Sequence, residues 1–195
     1  KFANGKKPNK KSDQWLLDIY VKGNEAIAND PKLEEEVDDT LRKLEKGDKT
    51  LSYISKKLVD WCLKGFKETY KRIGINFDEY LWENNFSQIS KKYAQKLLTK
   101  KFAFTTDDGA VIIDLEKYGL SNTVLLRNDG TGLYLTRDVA AGIYKFKKYK
   151  PSLNVYVVAE DQKLHFQQEF KIFELLGYKV LAKNSQHLSF GYVNL

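Results

Sequence analysis

The sequence contains few of the residues that build disulfide frameworks and metal sites. Its 195 residues include one cysteine, Cys62, two histidines, His165 and His187, and no methionine. A single cysteine excludes an internal disulfide and a cysteine-based metal centre, and two histidines leave little for a histidine-based one. We therefore expect no bound metal site in the chain and a reducing, cytoplasmic setting.

Long apolar runs and glycine-rich phosphate loops are also missing. No apolar run approaches the roughly 20 residues of a membrane-spanning helix, so we expect no membrane association. Neither G-x-x-x-x-G-K nor G-x-G-x-x-G occurs, which argues against the nucleotide-dependent enzymes that hold phosphates in such loops. Because the sequence begins Lys-Phe-Ala without a methionine, we expect it to be part of a longer chain.

The composition is that of a globular domain with a basic excess. Hydrophobic residues make up 42% and charged residues 30% of the chain, and the net charge is +7. The lysines are either solvated surface residues or part of a surface that binds a polyanion such as nucleic acid. A non-enzymatic nucleic-acid-binding or interaction module is therefore one hypothesis. It predicts lysines gathered on one face beside exposed aromatic side chains.

The first hundred residues are expected to be mostly helical. Residues 15–21 form an apolar patch whose periodicity does not distinguish a helix from an extended segment. Capping residues and apolar spacing predict helices over residues 30–46, 48–73 and 87–98. The side chain of Asp48 or of Thr50 is a candidate N-cap of the second of these helices.

The pattern changes to β-structure after residue 100. Residues 102–106 and 110–114 are rich in apolar and β-branched side chains, and Asp107-Asp108-Gly109 separates them. Asp-Gly between two such runs predicts a hairpin. Turn chemistry also explains the two aspartates better than an acid/base role.

The central prediction is a parallel βαβ unit over residues 123–165. An apolar run over residues 124–126 predicts a strand, and a second short run covers residues 133–135. Thr136 is then a candidate cap of a helix over residues 137–149. Residues 155–159 show too little alternation for a half-exposed strand and predict a strand buried in a parallel sheet. The predicted class is α/β, with a Rossmann-like, doubly wound, mostly parallel sheet.

Two further segments complete that prediction. Residues 160–177 predict another helix, and residues 178–181 predict a third strand. Residues 187–193 are an apolar, aromatic segment at the end of the sequence.

Polar residues at the ends of the predicted strands are the candidate site. Ligands of doubly wound sheets bind beyond the carboxyl ends of the strands, where Tyr134, Asp138 and Gln162 are expected. A carboxylate, a phenol and an amide together suit a cation. Each residue also has a structural explanation: Asp138 complements a helix dipole, Tyr134 is core, and Gln162 begins a helix.

Long ordered stretches of the sequence are similar to those of one enzyme family. They are L-R-N-D-G-T-G-L-Y-L-T-R-D-V-A-A, V-Y-V-V-A-E-D-Q-K-L-H-F, H-L-S-F-G-Y-V and, earlier in the chain, D-I-Y-V-K and D-D-G-A-V-I-I-D-L. With these stretches the chain resembles arginyl-tRNA synthetase, a class I aminoacyl-tRNA synthetase. The resemblance implies a catalytic domain interrupted by a mostly helical inserted segment. Its expected divisions are a connection over residues 1–24, the insertion ending in the hairpin over 25–119, and the second half of the Rossmann-like domain over 120–195.

The resemblance also assigns roles to individual residues. Tyr134 and Asp138 of Y-L-T-R-D and Gln162 of E-D-Q match the family's arginine-binding residues. The segment with His187, Phe190 and Gly191 matches the one that lines the ATP side of the pocket. His165, three residues after Gln162, is a weaker candidate, because a histidine on a helix face is more often structural.

The family's H-I-G-H-like and K-M-S-K-S-like motifs are not found in this sequence. The resemblance implies a parent enzyme that activates arginine with ATP, accompanied by Mg²⁺, and transfers it to tRNA(Arg). It implies a cytoplasmic enzyme, and a monomer is expected. Both missing motifs contact ATP in the family and stabilise the adenylation transition state. This stretch of chain is therefore expected to contain no catalytic residues and to be inactive alone.

Overall fold

The computed structural model describes residues 2–3, 5–30 and 32–191. The chain forms two compact units, Lys1–Asp78 and Glu79–Leu195. None of the helices within the described ranges combines the length and apolar character that a membrane crossing requires.

The described residues of the first unit form three helices, and the sequence predicts the second and third of them. They are α1 (Ser12–Asn29), α2 (Lys32–Glu45) and α3 (Lys49–Arg72). The ambiguous patch over residues 15–21 lies within α1 and is helical. The Asp48 carboxylate accepts a hydrogen bond from the backbone N–H of Leu51 at 2.8 Å, which confirms the predicted cap of α3.

A tryptophan pair joins α1 to α3 in this unit. The Trp15 side chain is 8% exposed, and its ring meets that of Trp61 edge to face with 5.9 Å between centroids. The Ser12 hydroxyl donates a hydrogen bond to the Trp61 carbonyl at 2.5 Å. The apolar patch in α1 therefore serves as a packing surface for α3.

The second unit begins with a short 3-10 helix, Glu83–Phe86, and α4 (Ser87–Thr99). A three-stranded antiparallel sheet follows, in the order β1 (Ala103–Thr105), β2 (Val111–Ile113) and β3 (Thr123–Leu126). The predicted hairpin is confirmed, and Gly109 supplies the positive φ of +91° that its turn requires.

The prediction that residues 124–126 belong to a parallel sheet is wrong. β3 pairs antiparallel with β2, and Val111 lies opposite Leu126. The connection over residues 114–122 is shorter than the dozen or more residues that a parallel crossover needs. A short connection therefore returns the chain beside β2 in the opposite direction.

Helix α5 (Tyr134–Tyr149) begins three residues before its predicted start. The run over residues 133–135 is therefore not a strand, and Thr136 lies inside the helix. Its hydroxyl donates a hydrogen bond to the Leu125 carbonyl at 2.6 Å instead of capping the helix. This bond fixes the first turn of α5 against β3.

A parallel β-helix-β unit completes the chain. β4 (Asn154–Ala159) pairs in parallel with β5 (Ser185–Phe190), and α6 (Lys163–Leu176) and α7 (Lys179–Lys183) lie between them in sequence. The predicted third strand over residues 178–181 is wrong, because most of it lies in α7. Of the final aromatic segment, residues 192–193 lie outside the described residues.

The prediction that residues 155–159 form a fully buried strand is also wrong. Burial alternates along β4, and the exposed fractions of Val155 and Val157 are 43% and 63%. Among the described residues β4 pairs with β5 alone. One face of the pair packs on α6, where the rings of Tyr156 and Phe166 are 4.9 Å apart.

The architecture is thus α/β, with two small sheets and covering helices. One core joins α4, the antiparallel sheet, α5 and α6 in the second unit. Its fully buried members include Leu97, Ile113, Leu115, Leu125, Ile143, Ile172, Phe173 and Leu181.

Candidate functional site

A cleft of about 550 Å³ lies where α5, the end of β4 and α6 meet. Its size suits a small ligand. The residues that line it are Glu83, Tyr134, Asp138, Ala141, Lys145, Tyr156, Val158, Gln162, His165, Phe166 and Glu169.

All three residues of the predicted cation site line this cleft. Tyr134 begins α5 and Asp138 lies one turn further along the helix, so both face the same side. Gln162 ends the short 3-10 helix Glu160–Gln162, which directly follows β4. Tyr134 is 71% exposed, so the interpretation of this tyrosine as a core residue is wrong.

An ion pair joins Asp138 to the weaker candidate, His165. The Asp138 Oδ2 and His165 Nε2 atoms are 2.9 Å apart, and the two side chains are 46% and 22% exposed. Hydrogen bonding to Asp138 raises the pKa of His165 above its usual value, which favours the protonated imidazole. His165 thus holds the carboxylate on which a ligand cation would bind.

The floor of the cleft contains a buried carboxyl that sequence reasoning did not find. Glu169 lies four residues after His165 on α6, and its side chain is fully buried at 0% exposure. Its Oε1 atom accepts a hydrogen bond from the Tyr156 hydroxyl at 3.2 Å. Its Oε2 atom is buried without a hydrogen-bond partner. Burial raises the pKa of Glu169 to about 8, and the charge of Asp138 adds to this effect.

Lys145 also lies at the floor of the cleft. Its Nζ atom lies 4.5 Å from the centroid of the Tyr156 ring, in a cation-π contact. Burial lowers the pKa of Lys145, against the opposing influence of Glu169 and Asp138. Burial also raises the pKa of Tyr156, so its phenol stays a hydrogen-bond donor. The i, i+4 spacing of His165 and Glu169 places both on one side of α6, but the sequence does not show that this side is buried.

A glycine in α5 makes room for this arrangement. A Cβ atom on Gly142 would lie 2.9 Å from the Tyr156 hydroxyl oxygen and 2.5 Å from Cζ of Phe173. Both distances are too short for ordinary contacts, so only glycine allows the two rings to lie this close to α5.

Arg137 stabilises the loop that precedes α5. One of its terminal nitrogens lies 2.7 Å from Oε1 of Glu83, and the other donates to the Gly132 carbonyl at 2.8 Å. The loop before Tyr134 is therefore held on two sides.

The predicted ATP-side residues are not among those that line the cleft, but His187 contacts two residues that are, Val158 and Phe166. The Nε2 atom of His187 is 2.9 Å from the Val158 carbonyl oxygen, and its ring centroid is 4.6 Å from that of Phe166. Phe190 is 52% exposed at the end of β5, and Gly191 follows it. None of these three residues lines the cleft with Tyr134, Asp138 and Gln162. Within the described ranges, no three His, Cys, Asp or Glu side chains are grouped so as to hold a metal ion.

Comparison with known proteins connects this arrangement to one family. The family model described as "tRNA synthetases class I (R), catalytic domain" matches residues 2–194. The arginine–tRNA ligase of Halothermothrix orenii is 37% identical over 92% of this chain and 31% of that protein. The corresponding ligase of Treponema denticola is 38% identical over the whole chain and 34% of that protein. The chain thus spans about a third of the length of these relatives.

Solved structures show the same fold at lower identity. The arginyl-tRNA synthetase of Plasmodium falciparum aligns with a TM-score of 0.70 at 21% identity, covering 83% of this chain and 28% of that one. The enzyme of Thermus thermophilus aligns with a TM-score of 0.69 at 20% identity, covering 94% and 36%. The match along nearly the whole sequence establishes that this chain belongs to the family of class I tRNA synthetase (R) catalytic domains.

Proposed function

We propose that the protein containing this chain activates arginine with ATP and transfers it to tRNA(Arg). The observation that supports this proposal is the Asp138 carboxylate in a cleft lined also by Tyr134 and Gln162. A carboxylate with an accessible oxygen suits the planar guanidinium of arginine, which can donate two parallel hydrogen bonds. Family membership favours this enzyme over a non-enzymatic nucleic-acid-binding module.

In this proposal the three residues bind different parts of arginine. Asp138 binds the guanidinium. The hydroxyl of Tyr134 and the amide of Gln162, which line the same cleft, hydrogen-bond the rest of the ligand. His165 keeps Asp138 in place through the 2.9 Å contact.

ATP is proposed to bind at the adjoining ends of β4 and β5. Their parallel register aligns Ala159 with Phe190, so both strands end at the same edge of the sheet. Ligands of α/β sheets bind beyond such an edge. His187 and Phe190 lie on the strand that leads to it and Gly191 follows that strand, which supports their assignment to the ATP side. Mg²⁺ would enter as part of the ATP complex.

The same proposal includes the type of sheet and the division of the chain into segments. β4 and β5, with α6 between them in sequence, belong to a Rossmann-like doubly wound domain, and residues 120–195 are its second half. Residues 25–119 are the inserted segment, and residues 1–24 connect it to the preceding half. A cytoplasmic monomer that binds tRNA(Arg) is proposed for the whole protein.

Aminoacylation by the full-length protein tests this function. Radiolabelled arginine, ATP and tRNA are incubated with the wild type and with the variants Asp138→Asn and Asp114→Asn. Asp114 is an exposed carboxylate that does not line the cleft, so it provides the matched control. We expect arginylation by the wild type and the control and a strongly reduced rate with Asp138→Asn. Absence of arginylation by a folded wild-type protein would contradict the proposal.

A further inference from the structure

Two titratable groups behind Asp138 have no part in the proposed contacts with arginine. His165 and Glu169 lie one turn apart on the same side of α6, and both line the cleft. His165 contacts Asp138 directly. Glu169 is fully buried and has one oxygen without a partner. A buried carboxyl that lacks half of its hydrogen bonds is costly to ionise, and this cost needs a functional or structural reason.

The groups around this pair carry an excess of positive charge when Glu169 is protonated. Asp138 and Lys145 face the pair from α5, and Tyr156 faces it from β4. The carboxylate of Asp138 is then outweighed by the ammonium of Lys145 and the imidazolium of His165.

Two further charged or titratable side chains nearby are already engaged. Glu83 also lines the cleft, but its carboxylate is 2.7 Å from Arg137. His187 lies on β5, and its ring nitrogen is engaged with the Val158 carbonyl. A guanidinium entering the cleft therefore adds a positive charge to a group that already carries a positive excess.

Adding a positive charge to the cleft costs the least free energy when another positive charge leaves it. We propose that binding of a guanidinium at Asp138 is coupled to the release of one proton from the His165–Glu169 pair. This inference rests on the proposed function, because it takes arginine as the ligand of the cleft.

The chemistry of both groups permits this release without loss of their contacts. A neutral His165 can keep the proton on Nε2, which is donated to Asp138, and lose the one on Nδ1. An ionised Glu169 keeps its hydrogen bond from Tyr156 and is stabilised by the new cation. Either way the proton passes to the solvent, and the two groups titrate as a pair.

The protonation expected in the empty cleft agrees with this exchange. Burial raises the pKa of Glu169 to about 8, and Asp138 raises the pKa of His165 from its usual value. Both groups therefore bind protons near neutrality, and an incoming cation favours their loss.

Calorimetric titration of the full-length protein with arginine measures this proton directly. Titrations at about pH 7 in phosphate and in Tris, which differ in ionisation enthalpy, give the number of protons released on binding. We expect about one proton for the wild type, fewer for Glu169→Gln, and about none for the double variant His165→Gln/Glu169→Gln. Glu174→Gln removes an exposed carboxyl from the same helix and should leave the number unchanged.

The pH dependence of affinity provides a second measurement. Release of one proton makes the Kd of arginine fall by up to about tenfold for each rise of one pH unit near neutrality. This dependence should be flat in the double variant, and circular dichroism establishes that each variant is folded. If Glu169→Gln does not fold, His165→Gln alone must still reduce both the proton count and the slope.

The outcomes separate this inference from the function on which it rests. Arginine binding by the wild type without proton release, or with a release that the double variant retains, overturns the coupling and leaves the arginine site intact. Failure of the folded wild type to bind arginine in either buffer overturns the proposed function itself, and the coupling with it.

Discussion

Replacing Glu169 by glutamine should change how the stability of the second unit depends on pH. The carboxyl of Glu169 has its pKa raised from 4.5 to about 8 in the folded protein. A raised pKa means that the proton stabilises the fold. That contribution is complete below about pH 4.5 and is lost as the pH rises through about 8. Glutamine cannot ionise, so the variant should lack this loss.

The magnitude follows from the two pKa values. The interval between 4.5 and about 8 corresponds to about 5 kcal/mol, at about 1.4 kcal/mol per pH unit. Between about pH 5 and about pH 9 the wild type should lose about 4 kcal/mol from this group. The side chain is fully buried, so solvent screening reduces this figure little.

Hydrogen exchange of the amides in α6 and β4 of the full-length protein measures the effect locally. Protection factors corrected for intrinsic exchange give the free energy of opening for the wild type and for Glu169→Gln, without ligand, across that pH range. Glu174→Gln serves as the control. Parallel pH dependences of the wild type and Glu169→Gln would refute a buried, protonated Glu169.

Three further substitutions test the cleft. Asp138→Asn should weaken arginine binding in the full-length enzyme by about 2 kcal/mol, near the low end for a charge pair because the side chain is 46% exposed; an unchanged KM for arginine would contradict this. Tyr134→Phe should raise that KM by the equivalent of about 1 kcal/mol, the value of one hydrogen bond, and a KM equal to that of the wild type would exclude a bond to the hydroxyl. Gly142→Ala should destabilise the protein by about 2 kcal/mol in chemical denaturation, because its Cβ would overlap Phe173 and Tyr156. Adding Phe173→Leu should restore part of that loss, and no recovery would show that the contact with Phe173 is not the cause.

Local signals in the sequence were sufficient for several elements. The Asp48 cap and the Asp-Gly turn each act within a few residues, so their outcome does not depend on distant packing. The convergence of Tyr134, Asp138 and Gln162 on one cleft also follows from local positions, because each lies at the start of a helix or directly after a strand.

The pairing of strands could not be predicted in the same way. The run over residues 124–126 forms a strand as predicted, but its partner is set by the short connection to β2 and by packing against α5. The exposure of Val155 and Val157 could not be predicted either, because a run of apolar residues does not indicate which face of a strand is covered. The run over residues 133–135 is too short for periodicity to distinguish a strand from a helix.

Glu169 escaped prediction for a different reason. Glutamate is rarely fully buried, so residue type places it on the surface. Its burial depends on the packing of α6 against β4, where the Tyr156 hydroxyl donates a hydrogen bond to it. A contact between residues on separate elements is not visible in a single sequence without knowledge of the packing.

The close contact between Gly142 and Phe173 restricts the order in which these two residues could have arisen in evolution. Phe173 is fully buried, and its ring occupies the space in which a Cβ at position 142 would lie. Phenylalanine at position 173 is therefore tolerated well only after position 142 has become glycine. In an aligned set of relatives, larger residues at position 142 should accompany smaller ones at position 173. A reconstructed lineage should show the glycine no later than the phenylalanine.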